Sequence, residues 1–173
     1  MQITVPGQRV ALVPVTRDRV RALRRHLVES LRDLRAARRP DRLIQRRTAE
    51  PEGFAAQVVA GGCGHCRGSC CMAGGTHAFI DERTMARVRS EQPDLTVRGI
   101  IRSYVEAIAP VAFEGSCVFH GPSGCTLPRP FRAELCNAYY CDGLAGFLKA
   151  AGSVNAVVVT THEGETVTIH RVA

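Results

Sequence analysis

Tryptophan is absent and aromatic residues make up only 5% of the 173-residue chain, so a core must be assembled from Val, Leu, Ile and Ala. Such a core is soft, and a bound metal could stiffen it. No apolar run reaches the roughly 18 residues that a membrane-spanning helix needs, so no membrane partner is expected. The first sixteen residues are broken by Pro6, Gly7 and Pro14 and do not read as a signal peptide, which makes a cytoplasmic location the expectation. A Walker loop, a dinucleotide-binding glycine fingerprint and a paired-carboxylate motif are also missing. No internal repeat is present, and no low-complexity tract beyond one arginine-rich helix. These absences leave no substrate to name.

What is there begins with eight cysteines. Four fall within nine residues, as Cys63-Gly-His-Cys66-Arg-Gly-Ser-Cys70-Cys71. After 45 residues without cysteine, Cys117, Cys125, Cys136 and Cys141 fall in one block of 25. In a reducing compartment such thiols read as metal ligands or redox groups rather than as a disulfide framework. Soft thiolates suit zinc, Cu(I) or iron-sulfur and argue against calcium or magnesium. The spacing Cys63-x2-Cys66 lets a tight turn aim two sulfurs at one centre, and Cys70 can add a third. Three local thiolates and a remote one are a common way to hold a cubane cluster, and a zinc site would use four as well.

Adjacent Cys70 and Cys71 carry a further inference, since neighbouring side chains point apart. Two centres account for the pair more simply than one, with Cys71 joining the second block. The alternative is one cluster on four cysteines, with the others structural or redox-active. Glycines at 61, 62, 64 and 68 expose amides that could hydrogen-bond to sulfur. His65, His77 and His120 could replace a thiolate or support one, although surface or loop histidine is the plainer reading. Helix capping or solvation accounts for Glu134 and Asp142. Nothing singles out one cysteine as a catalytic nucleophile.

Residues 1–48 hold 13 arginines against 4 acids, and the remainder is slightly acidic, within a net charge of +7. Much of that basicity lies on a predicted helix over Arg17 to Arg38, capped by Thr16 and stopped before Pro40, with Val20, Leu23, Leu27, Leu31 and Leu34 at helical spacing. Arg17, Arg21, Arg24, Arg25, Arg32, Arg35 and Arg39 occupy its opposite face. They read either as a solvated surface or as a face for nucleic acid or an acidic partner.

The other elements follow from periodicity and turn residues. Ile3–Val5 and Arg9–Val13 around Pro6-Gly7 predict a hairpin. Residues 41–60 read as a linker running into Ala55–Val59, with Gly61-Gly62 opening the cysteine loop. Helices are expected over Asp81–Arg89, from an Asp94 cap to Pro110, over Phe131–Tyr140, and over Leu144–Ala151 with Gly152 as the stop. The first two of these, which separate the cysteine blocks in sequence, could as an antiparallel pair bring the blocks together. A final hairpin is expected from Val154–Thr161 and Glu165–Val172.

The cysteine pattern resembles the YkgJ-type cysteine-cluster family. The residues that carry the likeness are Cys63-Gly-His-Cys66, Gly68-Ser-Cys70-Cys71, Cys117-Val-Phe-His, Gly124-Cys125, Arg129-Pro130 and Cys136-Asn-Ala-Tyr-Tyr-Cys141. The resemblance covers about residues 60–145 and uses all eight cysteines. It implies a zinc- or iron-chelating domain, often labelled an iron-sulfur oxidoreductase, and a related domain occurs in a flagellin lysine methylase. Two departures are visible. Arg129-Pro130 lies close after Cys125, and Asn137 stands where members commonly have Arg.

The expectation is therefore a single α+β domain, with a loop-rich cysteine metal core over 60–145. It is flanked by the hairpin and arginine helix of 1–48 and by the hairpin of 153–173, which together supply a small antiparallel sheet. The expected function is binding of one or two metal centres through Cys63, Cys66, Cys70, Cys71, Cys117, Cys125, Cys136 and Cys141. Iron-sulfur, as 4Fe-4S, stands ahead of zinc. An enzyme of this kind would be an iron-sulfur oxidoreductase or a metal-dependent modifying enzyme, with a redox or protein partner. The alternative is a structural-zinc module whose arginine helix meets nucleic acid or an acidic partner.

Overall fold

The heptad-like recurrence of leucine sets the longest element. Helix α1 (Arg17–Ala36) starts where the Thr16 hydroxyl accepts the Arg19 amide, and it buries Leu23, Leu27, Leu31 and Leu34. The structure is a computed structural model that describes residues 1–44, 46–150 and 154–171. Its chain divides into two compact units. A central unit comprises Ala11–Thr48 and Cys71–Ala138; a terminal unit comprises Met1–Val10, Ala49–Cys70 and the chain from Tyr139 onward. The architecture is α+β, as expected. No helix among the described residues is long and apolar enough to cross a membrane.

In the order of the chain the elements are β1 (Gln2–Val5), β2 (Leu12–Pro14), α1, α2 (Gly53–His65), α3 (Glu82–Glu91), α4 (Val97–Glu106), β3 (Val111–Phe113), β4 (His120–Gly121), β5 (Gly124–Cys125), α5 (Glu134–Ala138), α6 (Asp142–Ala150), β6 (Ala156–Thr161) and β7 (Thr166–His170). Short 3-10 segments lie at Pro40–Leu43, Ser69–Gly74 and Arg129–Phe131.

In the central unit α1 packs on α3 and α4, and its leucines meet Ile80, Met85, Val88, Ile100, Tyr104, Val118 and Phe119. Burying each such aliphatic side chain contributes roughly 1.5–3 kcal/mol before entropy is counted. Asp81 caps α3, its Oδ1 accepting the Thr84 amide at 2.8 Å and the Thr84 hydroxyl at 2.7 Å. The cap of α4 is Thr96, not Asp94: Thr96 Oγ1 accepts the Gly99 amide at 3.1 Å. Leu95 packs against the core, so residues 93–95 are spent on the turn and the helix begins later than its acidic cue suggests. Strand β2 pairs antiparallel with β3, Leu12 opposite Phe113 and Pro14 opposite Val111.

The terminal unit is a three-stranded sheet in the order β1-β6-β7. Strands β6 and β7 form the expected hairpin; Val172, its predicted last residue, lies outside the described residues. Strand β1 runs parallel to β6, with Gln2 opposite Val158 and Val5 opposite Thr161. This corrects the predicted N-terminal hairpin. A lone two-stranded ribbon is marginal in water, whereas beside β6 the side chains of Ile3 and Val5 join Val157 and Val159 over Phe54, Val58, Leu144 and Phe147. The segment from Arg9 goes instead to β2.

Two further boundaries differ. Helix α2 covers the predicted linker's end and runs through Gly61 and Gly62 to His65. Gly61 is where the sheet approaches, since a Cβ there would stand 2.5 Å from Ile169 Cδ1. The glycines serve close packing rather than a loop. Only the five residues of α5 are α-helical in the stretch Phe131–Tyr140. Helix α6 ends at Ala150, and Ala151 and Gly152 of the predicted stop lie outside the described residues.

Helix α6 lies so close to β1 that a Cβ on Gly143 would overlap the Thr4 carbonyl oxygen, while Gly146 on the same helix faces open space. Gly143→Ala is therefore expected to destabilise the terminal unit by about 3 kcal/mol. Gly146→Ala should be neutral or add up to about 1 kcal/mol through helix propensity. Urea unfolding of the two variants tests the pair, and equal stabilities would show that α6 does not rest on β1.

Candidate metal centres

The cysteines divide with the units. Cys63, Cys66, Cys70 and Cys141 belong to the terminal unit, and Cys71, Cys117, Cys125 and Cys136 to the central one. The boundary falls between the vicinal pair.

In the terminal unit Cys63 rides on the last turn of α2 and Cys66 caps its end. Arg67 and Gly68, both at positive φ (54° and 62°), reverse the chain, and the Gly68 amide donates back to the Cys63 carbonyl at 3.2 Å. Cys66 is buried, and its thiol donates to the Cys63 carbonyl at 3.4 Å. Burial pushes this thiol's pKa up, the backbone amides of Ser69 and Gly68 draw it back, and the charges of Cys70 and Cys141 raise it again. Three of the four sulfurs are thus electrostatic neighbours. The Tyr139 phenol joins them, raised by lost hydration and then by Cys70, Cys141 and Asp142. Cys141 stands at the start of α6, its carbonyl accepting the Ala145 amide at 2.8 Å.

In the central unit the first and second cysteine blocks meet through backbone. The Cys117 amide donates to the Cys71 carbonyl at 2.9 Å, and the Val118 amide to the Gly75 carbonyl at 2.8 Å. Cys125 lies opposite His120 in the β4–β5 pair, its thiol directed at the Leu127 carbonyl at 3.8 Å. Cys136, on α5, directs its thiol at the Ala78 carbonyl at 3.9 Å. Ala78 and Phe79 both hold positive φ (51° and 57°), an uncommon state for residues with a Cβ.

Sequence reasoning missed what holds Cys125 and Cys136 in place. The segment between them is gripped at successive carbonyls. Arg87, buried on α3, donates to Pro130 at 2.7 Å and to Arg132, and pairs with Glu91 at 3.4 Å. Tyr104 donates to Phe131 at 2.7 Å. Arg132 donates in turn to Leu127 at 2.7 Å and to Cys125 at 3.4 Å. These carbonyls are taken by side chains, which is why the predicted Phe131–Tyr140 helix does not start at Phe131. The available signal was Arg87 with Glu91 four residues on, amid the apolar positions of a helix.

The histidines correct a second expectation. His120 is fully buried against Phe113, ring centroids 4.6 Å apart, rather than a surface residue. The His77 ring meets His26 at a tilt and Phe79 edge-on, with centroids 5.8 and 5.5 Å away, and its Nδ1 accepts the Phe79 amide at 3.0 Å. His65 lines a small cleft with Arg9, Arg67 and Glu163, its Nε2 shielded and without a hydrogen-bond partner among the described residues. Asn137, buried, donates to the Arg129 carbonyl at 3.4 Å. Glu134 accepts the Thr48 amide at 2.8 Å.

Among the described residues, no three histidine, cysteine or carboxylate side chains converge closely enough to hold an ion as they stand. Cys66, Cys125 and Cys136 instead spend their thiols on carbonyls, as protonated donors do. The donor set itself fits a thiophilic group, with four sulfurs in each unit. Compared with known protein families, curated proteins and solved structures, the chain matches none.

Tyr104 gives this region a pH signature. Burial holds its phenol well above the ordinary range; Arg87 offsets part of that and Asp81 adds to it. The folded state therefore keeps this proton more tightly than the unfolded chain, which loses it near pH ~10. The associated stability is complete below that pH and falls as pH climbs above it. Tyr104→Phe should cost about 1 kcal/mol at pH 7 by stranding the Phe131 carbonyl. The gap to wild type should then shrink by ~1.4 kcal/mol per pH unit above pH 10. Urea titrations at pH 7, 10 and 11 test this; a gap constant with pH would mean that the phenol is not held protonated.

Proposed function

We propose that this chain is a metal-binding cysteine-cluster protein with two centres, one on Cys63, Cys66, Cys70 and Cys141 and the other on Cys71, Cys117, Cys125 and Cys136. The observation that carries the reading is the four-and-four division of the cysteines between the two units, with its boundary inside the vicinal pair. The YkgJ-type resemblance supports the same chemistry. Iron-sulfur stands ahead of zinc for the terminal unit, where three local thiols and one remote thiol match the usual provision for a cubane. When bound, such a cluster supplies one-electron chemistry, and an electron partner or oxidoreductase role would follow from it. The protein's own part is to expel water around Cys66, to aim the Gly68 and Ser69 amides at its sulfur, and to set Cys141 at a helix start. The amides favour the thiolate that a metal requires, while the lost water disfavours it until a cation is bound.

Iron, zinc and acid-labile sulfide per chain, measured on anaerobically purified protein, test the proposal. Two clusters predict about eight iron and eight sulfide with absorbance near 400 nm that dithionite bleaches. Two zinc without sulfide would keep the two-centre reading and replace the redox role with a structural one. Cys66→Ser and Cys117→Ser should each remove about half of the metal, and the double variant nearly all of it. If either single variant lost all the metal, or neither lost any, the two-centre division would be wrong.

A further inference from the structure

Helix α1 carries a second feature that metal binding does not use. At ~100° per residue, Arg17, Arg21, Arg24, Arg25, Arg32 and Arg35 fall within a sector about 100° wide. The buried leucines lie roughly 110° to one side, and Asp18, Glu29 and Asp33 lie beyond the other edge. All six guanidinium-bearing residues are exposed. Arg21 pairs with Asp18 at 3.0 Å, an exposed ion pair of little energetic weight. The other five have no acidic partner among the described residues. The stripe is straight and spans about 27 Å from Arg17 to Arg35.

We infer that this stripe is a docking surface for the phosphate backbone of double-stranded nucleic acid, read without regard to sequence. Charge selects a polyanion, and arginine suits phosphate because its planar fork can engage two oxygens at once. Length suits a duplex: about 27 Å is most of one ~34 Å helical turn, so the stripe can span a groove and meet phosphates of both strands that flank it. The alternatives fit less well. A membrane-surface helix needs an apolar face to insert, and here that face is the core, with Leu23 and Leu27 at 0% exposure. A protein partner would look for an apolar anchor, yet the exposed large hydrophobics, Met1, Leu12, Ile44, Leu135 and Tyr139, all lie off α1. Single strands are gripped by stacking on aromatics, and the stripe has none.

The test is fluorescence anisotropy of the full chain with labelled 20-base-pair DNA and RNA duplexes of mixed sequence, titrated between 50 and 200 mM salt. If all six arginines neutralise a phosphate, the slope of log K on log salt is about −5, and affinity falls roughly a thousand-fold across that range. The variant with Arg24→Gln, Arg25→Gln, Arg32→Gln and Arg35→Gln should reduce the slope to about −2. Glutamine keeps helix propensity, and unchanged metal content and thermal midpoint would confirm that the variant is folded. A control with Arg83→Gln, Arg89→Gln, Arg98→Gln and Arg102→Gln has the same net charge, removes exposed arginines outside α1, and should keep the steep slope. Binding of either duplex with this difference supports the inference. No binding of either duplex, or equal weakening by the two variants, overturns it; capture of an acidic polypeptide alone would assign the stripe to a protein partner instead.

Discussion

Two adjacent residues on a 3-10 turn cannot aim their side chains at one point, because 3.0 residues per turn set successive Cβ directions about 120° apart. Cys70 and Cys71 meet this constraint on the turn Ser69–Gly74. The rest of the cysteine arrangement is consistent with it. Cys70 keeps electrostatic company with Cys66 and Cys141, while the Cys71 carbonyl takes the Cys117 amide. Gly74 is part of the same device, for a Cβ there would stand 2.7 Å from Cys117 Cβ. A vicinal pair, which for one ion would be a geometrical burden, becomes natural when its members serve different neighbourhoods.

The central unit depends on a different kind of constraint. A guanidinium as buried as Arg87, at 1% exposure, would be severely destabilising if its donors were unmet. Its donors are met by the carbonyls of Pro130 and Arg132 and by Glu91. The exchange works in both directions. The charge is tolerated because a loop wraps it, and the loop is held in one conformation because the charge needs those carbonyls. That loop carries Cys125 at one end and leads to Cys136 at the other, so the packing of α3 and α4 is felt at the thiols.

Legibility in the sequence tracked how local the cause was. Helix α1, with its leucine recurrence and Thr16 cap, and the C-terminal hairpin around His162-Glu-Gly-Glu could be read because their signals lie within a few residues of their effects. Helix α2 was hidden by Gly61 and Gly62, which read as loop formers but are demanded by the approach of Ile169 and Leu144, more than eighty residues later in the chain. The pairing of β1 with β6 was hidden for the same reason, since nothing in Ile3–Val5 names a partner so remote. At the candidate site the parting of the vicinal pair between two neighbourhoods followed from spacing alone. The supports did not: nothing in the sequence around Arg87 and Tyr104 names the carbonyls, more than twenty-five residues away, that they hold.

The Cys66 thiol is pulled both ways, with burial the stronger influence. With its proton on, Cys66 donates to the Cys63 carbonyl, and burial favours that form. With its proton off, the sulfur is an acceptor, and the Gly68 and Ser69 amides favour it. Neither set of contacts removes the cost of a buried negative charge beside two further thiols, because amide dipoles carry only partial charge. A cation bound among the sulfurs would remove it. The terminal unit has few aromatic side chains with which to harden its core, and a cross-link through Cys63, Cys66, Cys70 and Cys141 would tie the end of α2 to the start of α6, the two helices that cover its sheet. In this unit the chemistry of the ligands and the mechanical need of the fold point to the same place.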